Sequence, residues 1–462
     1  MNIALIVYLA VLIVIAARSA KCVRDVPDFF VAKKKAGVRS VAGSLVATIL
    51  GGSAVIGAVD SGVRLGGAAS WFMLTGALGL LALIPFAGRA YQHGKYALPD
   101  LVENLYGKGP RLVASLVIPV AWTGIVAAQI IAAAKLLMTF TPLEYSSAAV
   151  VSALVFTGYT LAGGQHSILR TDFLQAVLIV LGLVVVALFA LLRVSDGDAL
   201  DFWGVWQNAP AFPFHANFTP LDLFLLILTY GTTYTAGPDI YSRVFCAKDS
   251  ATAKKSIALA ASVLVPVAFI IGFLSVYGVS LGNVQGARIT AIADAVLPPA
   301  LIPLFALALL SVVLSSADTT LLSSSIILCG LLRVRDESGR GTAENAAGSA
   351  ARSGLLRARI VILLNGMVAL LLALVFTDII GTLLLALAVY AGAFTVPILW
   401  GLLGHKARPK FVAAAIVTGG LLALSGKLCP NLPPPFGAHT GDFLMIAAFV
   451  VNGVILALGR QK

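Results

Sequence analysis

The chain has 462 residues, 59% of them hydrophobic and 11% charged, with a mean hydropathy of +0.98. That composition excludes a soluble enzyme or regulator built around a single core and points to an all-α polytopic membrane protein. The net charge of +12 does not argue for a nucleic-acid partner, because the basic residues fall between apolar stretches, where they orient helices in a lipid bilayer.

About thirteen apolar stretches are long enough to span, with cores near 2–17, 41–62, 67–88, 112–139, 145–162, 168–192, 221–238, 256–280, 301–330, 358–376, 378–403, 409–426 and 441–459. The first has the length of a signal peptide. It lacks a basic leader and a small-residue cleavage site, and Arg18, Lys21 and Arg24 follow it, so it reads as a retained helix with its N-terminus outside. The second contains Gly51, Gly52 and Gly57. The seventh contains Gly231, then Gly237 and Pro238, set among Tyr230, Thr232, Thr233 and Tyr234. A glycine in a membrane helix is often only a close-packing device. Here matching interruptions open two five-helix groups, 41–192 and 221–403, as two inverted repeats around a central site would require. The remaining divisions are an extra helix with a basic inner loop at 1–40, an outer loop at 193–220 and two accessory helices at 404–462.

The outer loop, with Trp203, Trp206, Pro210, Phe212, Pro213 and Phe214, reads as an ordered cap. The inner loop 331–356 reads as a flexible or weakly helical connector, and 427–441, with Pro433, Pro434 and Pro435, as a stiff turn. With the N-terminus outside, 27 of the 32 basic residues fall on one side, including the loop Arg243–Lys255. Only Arg64, Arg193, Arg288 and Lys427 fall opposite. That asymmetry makes the first side cytoplasmic and places the C-terminus inside, in a plasma membrane of the bacterial inner-membrane type.

The most informative stretch lies in the ninth span, where Ser315, Ser316, Asp318 and Thr319 interrupt apolar sequence. Serine and threonine can return their hydroxyls to the backbone one turn earlier, but an ionised carboxylate has no such option. Spacings of three and four bring Ser315, Asp318 and Thr319 to one face. Hard oxygen ligands gathered there suit a small desolvated cation such as Na+. Lys135, near the outer end of the fourth span, either snorkels to the interface or meets an anionic group. The four cysteines and five histidines show no disulfide, zinc or haem spacing. No nucleophile–base constellation supports an enzyme, and the polar residues cluster at one depth rather than lining a channel.

Several segments together resemble the sodium:solute symporter family, which includes sodium/proline permeases and sodium/glucose cotransporters. They are Val26-Pro-Asp-Phe-Phe-Val-Ala, Val46-Ala-Thr-Ile-Leu-Gly-Gly-Ser-Ala-Val-Ile-Gly, Lys95-Tyr-Ala-Leu-Pro-Asp-Leu-Val-Glu-Asn-Leu-Tyr-Gly, Gly163-Gly-Gln-His-Ser-Ile-Leu-Arg-Thr-Asp-Phe-Leu-Gln, Arg243-Val-Phe-Cys-Ala-Lys-Asp and Ser315-Ser-Ala-Asp. Each is weak alone; their ordered combination across nearly the whole chain is specific. The resemblance implies thirteen helices around a leucine-transporter-like core. It also implies a sodium site from the Ala47, Leu50 and Val312 carbonyls with the Ser315 and Ser316 hydroxyls. A second cation or proton site would use Asp172, Asp318 and Thr319, with Asp318 departing from the commoner hydroxyl. Two carboxylates in one dry pocket must hold Na+, share a proton or pair with a basic residue; Asp172 could also be a helix N-terminal carboxylate beside Arg170.

Substrate is expected where the two broken helices meet, at Gly51, Gly52, Ser53, Tyr230, Thr233 and Tyr234, with Gln129 and Trp122 as further candidates on the fourth span. The small residues after Gly51-Gly52 disfavour a hexose and leave a small organic anion or an amino acid. The expected function is Na+-coupled solute uptake by alternating access. A proton-coupled carrier using Asp318 or Asp172, and a non-transporting solute sensor, stay open, as does the oligomeric state.

Overall fold

The structure, a computed structural model, describes residues 2–461 apart from 22, 24–25, 196–203, 205, 208, 211, 285, 332–343 and 429–439. The described residues are helical throughout, with only isolated β-bridges. Among the described residues nine helices are long and apolar enough to cross a membrane, and ten if the bent pair Val38–Ile49 and Ser53–Asp60 is one span. The thirteen stretches read from sequence include three more: Asn2–Ala20, the shorter Tyr145–Gly158, and 220–236, which is interrupted. The proline turn near 433 and the tip of the inner connector lie outside the described residues.

The helices that build the site are α1 (Val38–Ile49), α2 (Ser53–Asp60), α3 (Ser70–His93), α4 (Lys108–Phe140), α5 (Gly164–Val194), α6 (220–236), α7 (Pro238–Cys246), α8 (Ser250–Ser280), α9 (Ile302–Leu331) and α10 (Ile379–Leu402). Helix α9 lies at the centre, buried along most of its length and packed on α4 and α5. A helix apolar or small on every side belongs in such a position, since it has no face to give to water.

Both helices expected to break do so, for reasons of close approach. At the Gly51-Gly52 junction the chain bends by 53° between α1 and α2. A Cβ on Gly51 would fall 2.6 Å from the Ser316 Oγ, and one on Gly52 would fall 2.7 Å from the Ala132 Cβ. Helix α6 opens with a Thr219–Asp222 capping box, the Asp222 carboxylate accepting the Thr219 N–H at 2.7 Å, with Pro220 at its first position. It then loosens into a π-turn at Ile227–Gly231 and stops at Gly237-Pro238. A matching π-turn, Ser53–Gly57, follows the first break.

The segments before α1 and α8 are joined by backbone. The Ala36 N–H donates to the Cys246 carbonyl at 3.0 Å and the Lys248 N–H to the Ala36 carbonyl at 3.1 Å, a single parallel bridge. Asp249 then caps α8, accepting the Thr252 N–H at 2.6 Å, a bond that holds its carboxyl below the ordinary carboxylate range. At the opposite end, Trp71 stacks on Phe212 and Phe214 and donates its indole N–H to the Pro213 carbonyl at 3.0 Å, so the described part of 193–220 is a packed cap.

Two basic residues sit differently from one another. Lys135 is exposed, as snorkelling requires. Arg243, grouped from sequence with the cytoplasmic loop Arg243–Lys255, is instead fully buried on α7. The short helix carries it inward because Ile240, Tyr241, Val244 and Phe245 bury around it and leave it no route to water.

Candidate functional site

The break after α1 frees backbone acceptors. In an unbroken helix the Thr48 carbonyl would accept the Gly52 N–H. Here that N–H donates to the Gln129 Oε1 at 3.1 Å. The released oxygens face α9: the Ser315 hydroxyl donates to the Ala47 carbonyl at 2.9 Å and lies 3.3 Å from the Val312 carbonyl, while the Ser316 hydroxyl donates to the Thr48 carbonyl at 2.9 Å. All of these residues are buried. Leu50, also buried, closes the helix with its N–H on the Val46 carbonyl at 2.9 Å. The structure thus gathers Ala47, Val312, Ser315 and Ser316 around the helix end, with Leu50 next along the chain. It adds Thr48, which sequence reasoning left out. The donor set is neutral oxygen, three backbone carbonyls and two hydroxyls, and hard enough in character for a Group I cation.

One turn further along α9 the chemistry changes. Asp172, Asp318, Thr319, Ser44 and Arg243 form a fully buried cluster. Ser44 hydrogen-bonds the Asp172 carboxylate and accepts the Arg243 Nε at 3.1 Å. A terminal nitrogen of Arg243 donates to the Thr319 hydroxyl and lies 3.5 Å from Asp172. Thr319 in turn faces Asp318 Oδ1 at 3.3 Å. Asp172 Oδ1 and Asp318 Oδ2 have no hydrogen-bond partner among the described residues. Of the three fates open to two carboxylates in a dry pocket, pairing with a basic residue is met for Asp172; the second charge is left over.

The expected substrate residues converge as well. Gly51, Ser53, Gln129, Tyr230, Thr233 and Tyr234 line one cavity of about 40 Å³, with Gly52 behind it on Gln129. Trp122 closes one side, and Asp239, Thr320, Leu383 and Leu387 complete the wall. The Tyr230 and Tyr234 rings meet edge to face at 5.0 Å. The Thr233 hydroxyl is committed to the Thr229 carbonyl at 2.7 Å. Ser316 lines the same cavity, so the oxygen set at the α1 break and the cavity share a wall. That volume holds only a few waters, so the chain is contracted around the site.

Sequence reasoning missed Arg243, Ser44 and Asp239. A usable signal existed for two of them: Asp239 and Arg243 stand four apart on a short helix that is otherwise mostly apolar and small, just after a break. Ser44 carried none, because a small hydroxyl on a buried helix looks like any packing residue.

The family model for the sodium:solute symporters matches residues 29–419. The chain belongs to the sodium:solute symporter family. Its members are membrane transporters rather than enzymes, with Na+ as coupling ion, and the chain is a multi-pass membrane protein. A sodium/proline symporter of Haemophilus influenzae is 28% identical over 234 residues, which are 48% of this chain and 44% of that protein, so the match spans under half of the relative. A solved Na+-coupled sialic acid symporter, substrate-bound and outward-open, superposes with a TM-score of 0.76 over 98% of this chain and 97% of its own, at 18% identity. A nucleobase-cation-symport-1 family transporter, closed with bromovinylhydantoin bound, gives 0.51 over 93% and 94% at 16% identity. At these identities the likeness is one of fold, and the fold is the leucine-transporter type.

Proposed function

We propose that the chain couples Na+ influx to the uptake of a small organic solute by alternating access. The observation that carries this reading is the pair of α9 hydroxyls, Ser315 and Ser316, seated on carbonyls that the α1 break has released, on the wall of the central cavity. In this reading Ala47, Leu50, Val312, Ser315 and Ser316 hold Na+, and the ion ties α1 to α9 where its own oxygens are otherwise spent on each other. Gly51, Gly52, Ser53, Gln129, Tyr230, Thr233 and Tyr234 hold the solute. Because ion and solute share the broken helix, each raises the other's affinity by the same factor. One Na+ moving through a potential of about 100 mV adds roughly 2.3 kcal/mol.

An organic anion or amino acid suits the site better than a hexose. The residues after the glycine pair are small, and helix-end amides favour a carboxylate. The solutes named for the two relatives, proline and sialic acid, both carry one. Thirteen crossings in two inverted five-helix repeats, with the N-terminus outside, the C-terminus inside and a bacterial inner membrane as location, complete the proposal. The test is the melting temperature of purified protein in NaCl against choline chloride at matched ionic strength, across organic acids, amino acids and sugars. A sodium-specific rise, increased by one solute, is expected; the absence of any sodium response sinks the reading.

A second reading rests on the charge count in the neighbouring cluster, where the Arg243 guanidinium pairs with Asp172 and is shared with Asp318, with Asp239 also within its field. The surplus negative charge is met by a proton on Asp318 or by a second Na+ among Asp172, Asp318 and Thr319. Uptake by an Asp318→Asn variant distinguishes the two from a structural role: a changed pH profile means a proton and a changed sodium Hill slope means an ion. If both stay at wild type, Asp318 is structural.

A further inference from the structure

Outside the transport site lies a groove of about 350 Å³ between α1, α5 and α8 whose walls expose only apolar surface. Val46 and Ala42 form its floor, Phe173 and Val177 one rim and Leu259 the other. From Phe173 to Leu181 it runs about 12 Å along α5, at 1.5 Å per residue. We propose that this groove is a binding site for one anionic phospholipid, an acyl chain lying in it and the headgroup phosphate held at its inner end.

The choice of occupant rests on charge. The three helices run in the same direction here: the Ser40 hydroxyl faces the Leu169 carbonyl at 3.4 Å and Gly43 packs on Phe173 further along, while the Ser256 hydroxyl faces the Val38 carbonyl at 3.3 Å and Leu259 and Val263 line the groove with Ala42 and Val46. Each of the two hydroxyl contacts is next in sequence to a basic residue. Arg39 and Lys255 therefore stand at one end of the groove, on α1 and α8, and both are exposed; Arg170, on α5, is exposed as well but donates to the Ser19 hydroxyl at 3.2 Å. Lys255 lies one turn before Leu259 and shares its face, and Arg39 itself lines the groove. None of the three makes an ion pair with an acidic residue among the described residues; Asp28 is taken by Lys33 and His166, and Asp172 by Arg243. Arg39 also sits in the first turn of α1, where the helix dipole disfavours a cation. A phosphate relieves both the mutual repulsion and the dipole, and basic crowns over apolar clefts at the cytoplasmic face recognise anionic headgroups. A neutral lipid would fill the groove but leave the crown unmatched.

The position gives the lipid a reason to matter. The floor residue Val46 precedes Ala47, and the rim residue Phe173 follows Asp172, so the occupied groove braces the backs of α1, which carries the Ala47 carbonyl, and of α5, which carries Asp172 of the neighbouring cluster. The test needs no transport and so stands apart from the fate of the symport reading. Detergent-purified protein is titrated with phosphatidylglycerol, with phosphatidylcholine of the same chains, or with glycerol 3-phosphate, and its melting temperature is read. Phosphatidylglycerol alone is expected to raise it, by about 3 °C or more. The rise disappears in Arg39→Gln/Lys255→Gln, which removes the crown, and in Val177→Trp, which fills the groove from its exposed rim; a size-exclusion profile like wild type shows that both fold. Equal effects of the two lipids, or a phosphatidylglycerol response unchanged in both variants, overturns the proposal; a response to glycerol 3-phosphate of the same size reduces the site to a phosphate contact and overturns the acyl groove.

Discussion

Two clusters stand one turn apart on α9 and solve the same difficulty in opposite ways. Around Ser315 and Ser316 every oxygen is neutral, and each hydroxyl is satisfied by a carbonyl that a broken helix has let go. Around Asp318 the oxygens are charged, and a buried arginine is brought in to meet them. The neutral cluster can open and close with little electrostatic cost, because hydroxyl–carbonyl bonds exchange readily for an ion. The charged one cannot lose a member without stranding a charge. Reversibility belongs to the first and rigidity to the second.

Removing the cation of the charged cluster is the harshest way to break that contrast. Arg243→Gln leaves Asp172 and Asp318 facing each other in a dry interior and is expected to destabilise by about 3–5 kcal/mol, read as a fall in melting temperature. Adding Asp172→Asn should restore part of the loss; a double variant no better than the single one would mean that the pair is not coupled. Gly51→Ala comes next. Its methyl meets the Ser316 Oγ at 2.6 Å and the Gln129 side chain at 3.4 Å, so about 1–3 kcal/mol of strain falls on the cavity wall, with solute uptake lost before folding.

Ser315→Ala sharpens the comparison from the neutral side. It removes one bond worth about 1 kcal/mol of stability, and the sodium concentration for half-maximal stabilisation should rise roughly tenfold, the equivalent of about 1.4 kcal/mol. Wild-type sodium activation in this variant would remove Ser315 from the ion's coordination. The mildest change is Lys135→Gln. As an exposed charge that acts only weakly on Asp60, whose carboxylate is held mainly by the Arg288 backbone, it should shift stability by under about 0.5 kcal/mol and leave sodium dependence intact; a large loss would show that Lys135 is a principal partner of an anionic group.

Much of this was legible in the residues. The breaks at Gly51-Gly52 and Gly237-Pro238 are written in breakers that no smooth helix would tolerate, and Ser315-Ser316-Ala317-Asp318 stands out against apolar neighbours. The packing of Ser315 on Ala47 was readable only through family resemblance, since no periodicity says which turn of another helix a hydroxyl will meet. Arg243 was misplaced for a physical reason. Counting charges by loop assumes that a basic residue near a span end reaches water, and α7 is a short helix lying within the protein instead. Ser44 gave no warning at all.

The bridge between Ala36 and Ala247 has a mechanical consequence. It is a stitch of two backbone hydrogen bonds at the foot of α1 and of α8, where sliding would have to tear both at once. The two helices are therefore hinged together at that end, like two blades on one rivet, and rocking must swing them as a unit or splay them at their far ends. Their amides at the rivet should be among the last to exchange with deuterium, while those flanking the Gly51-Gly52 bend exchange early.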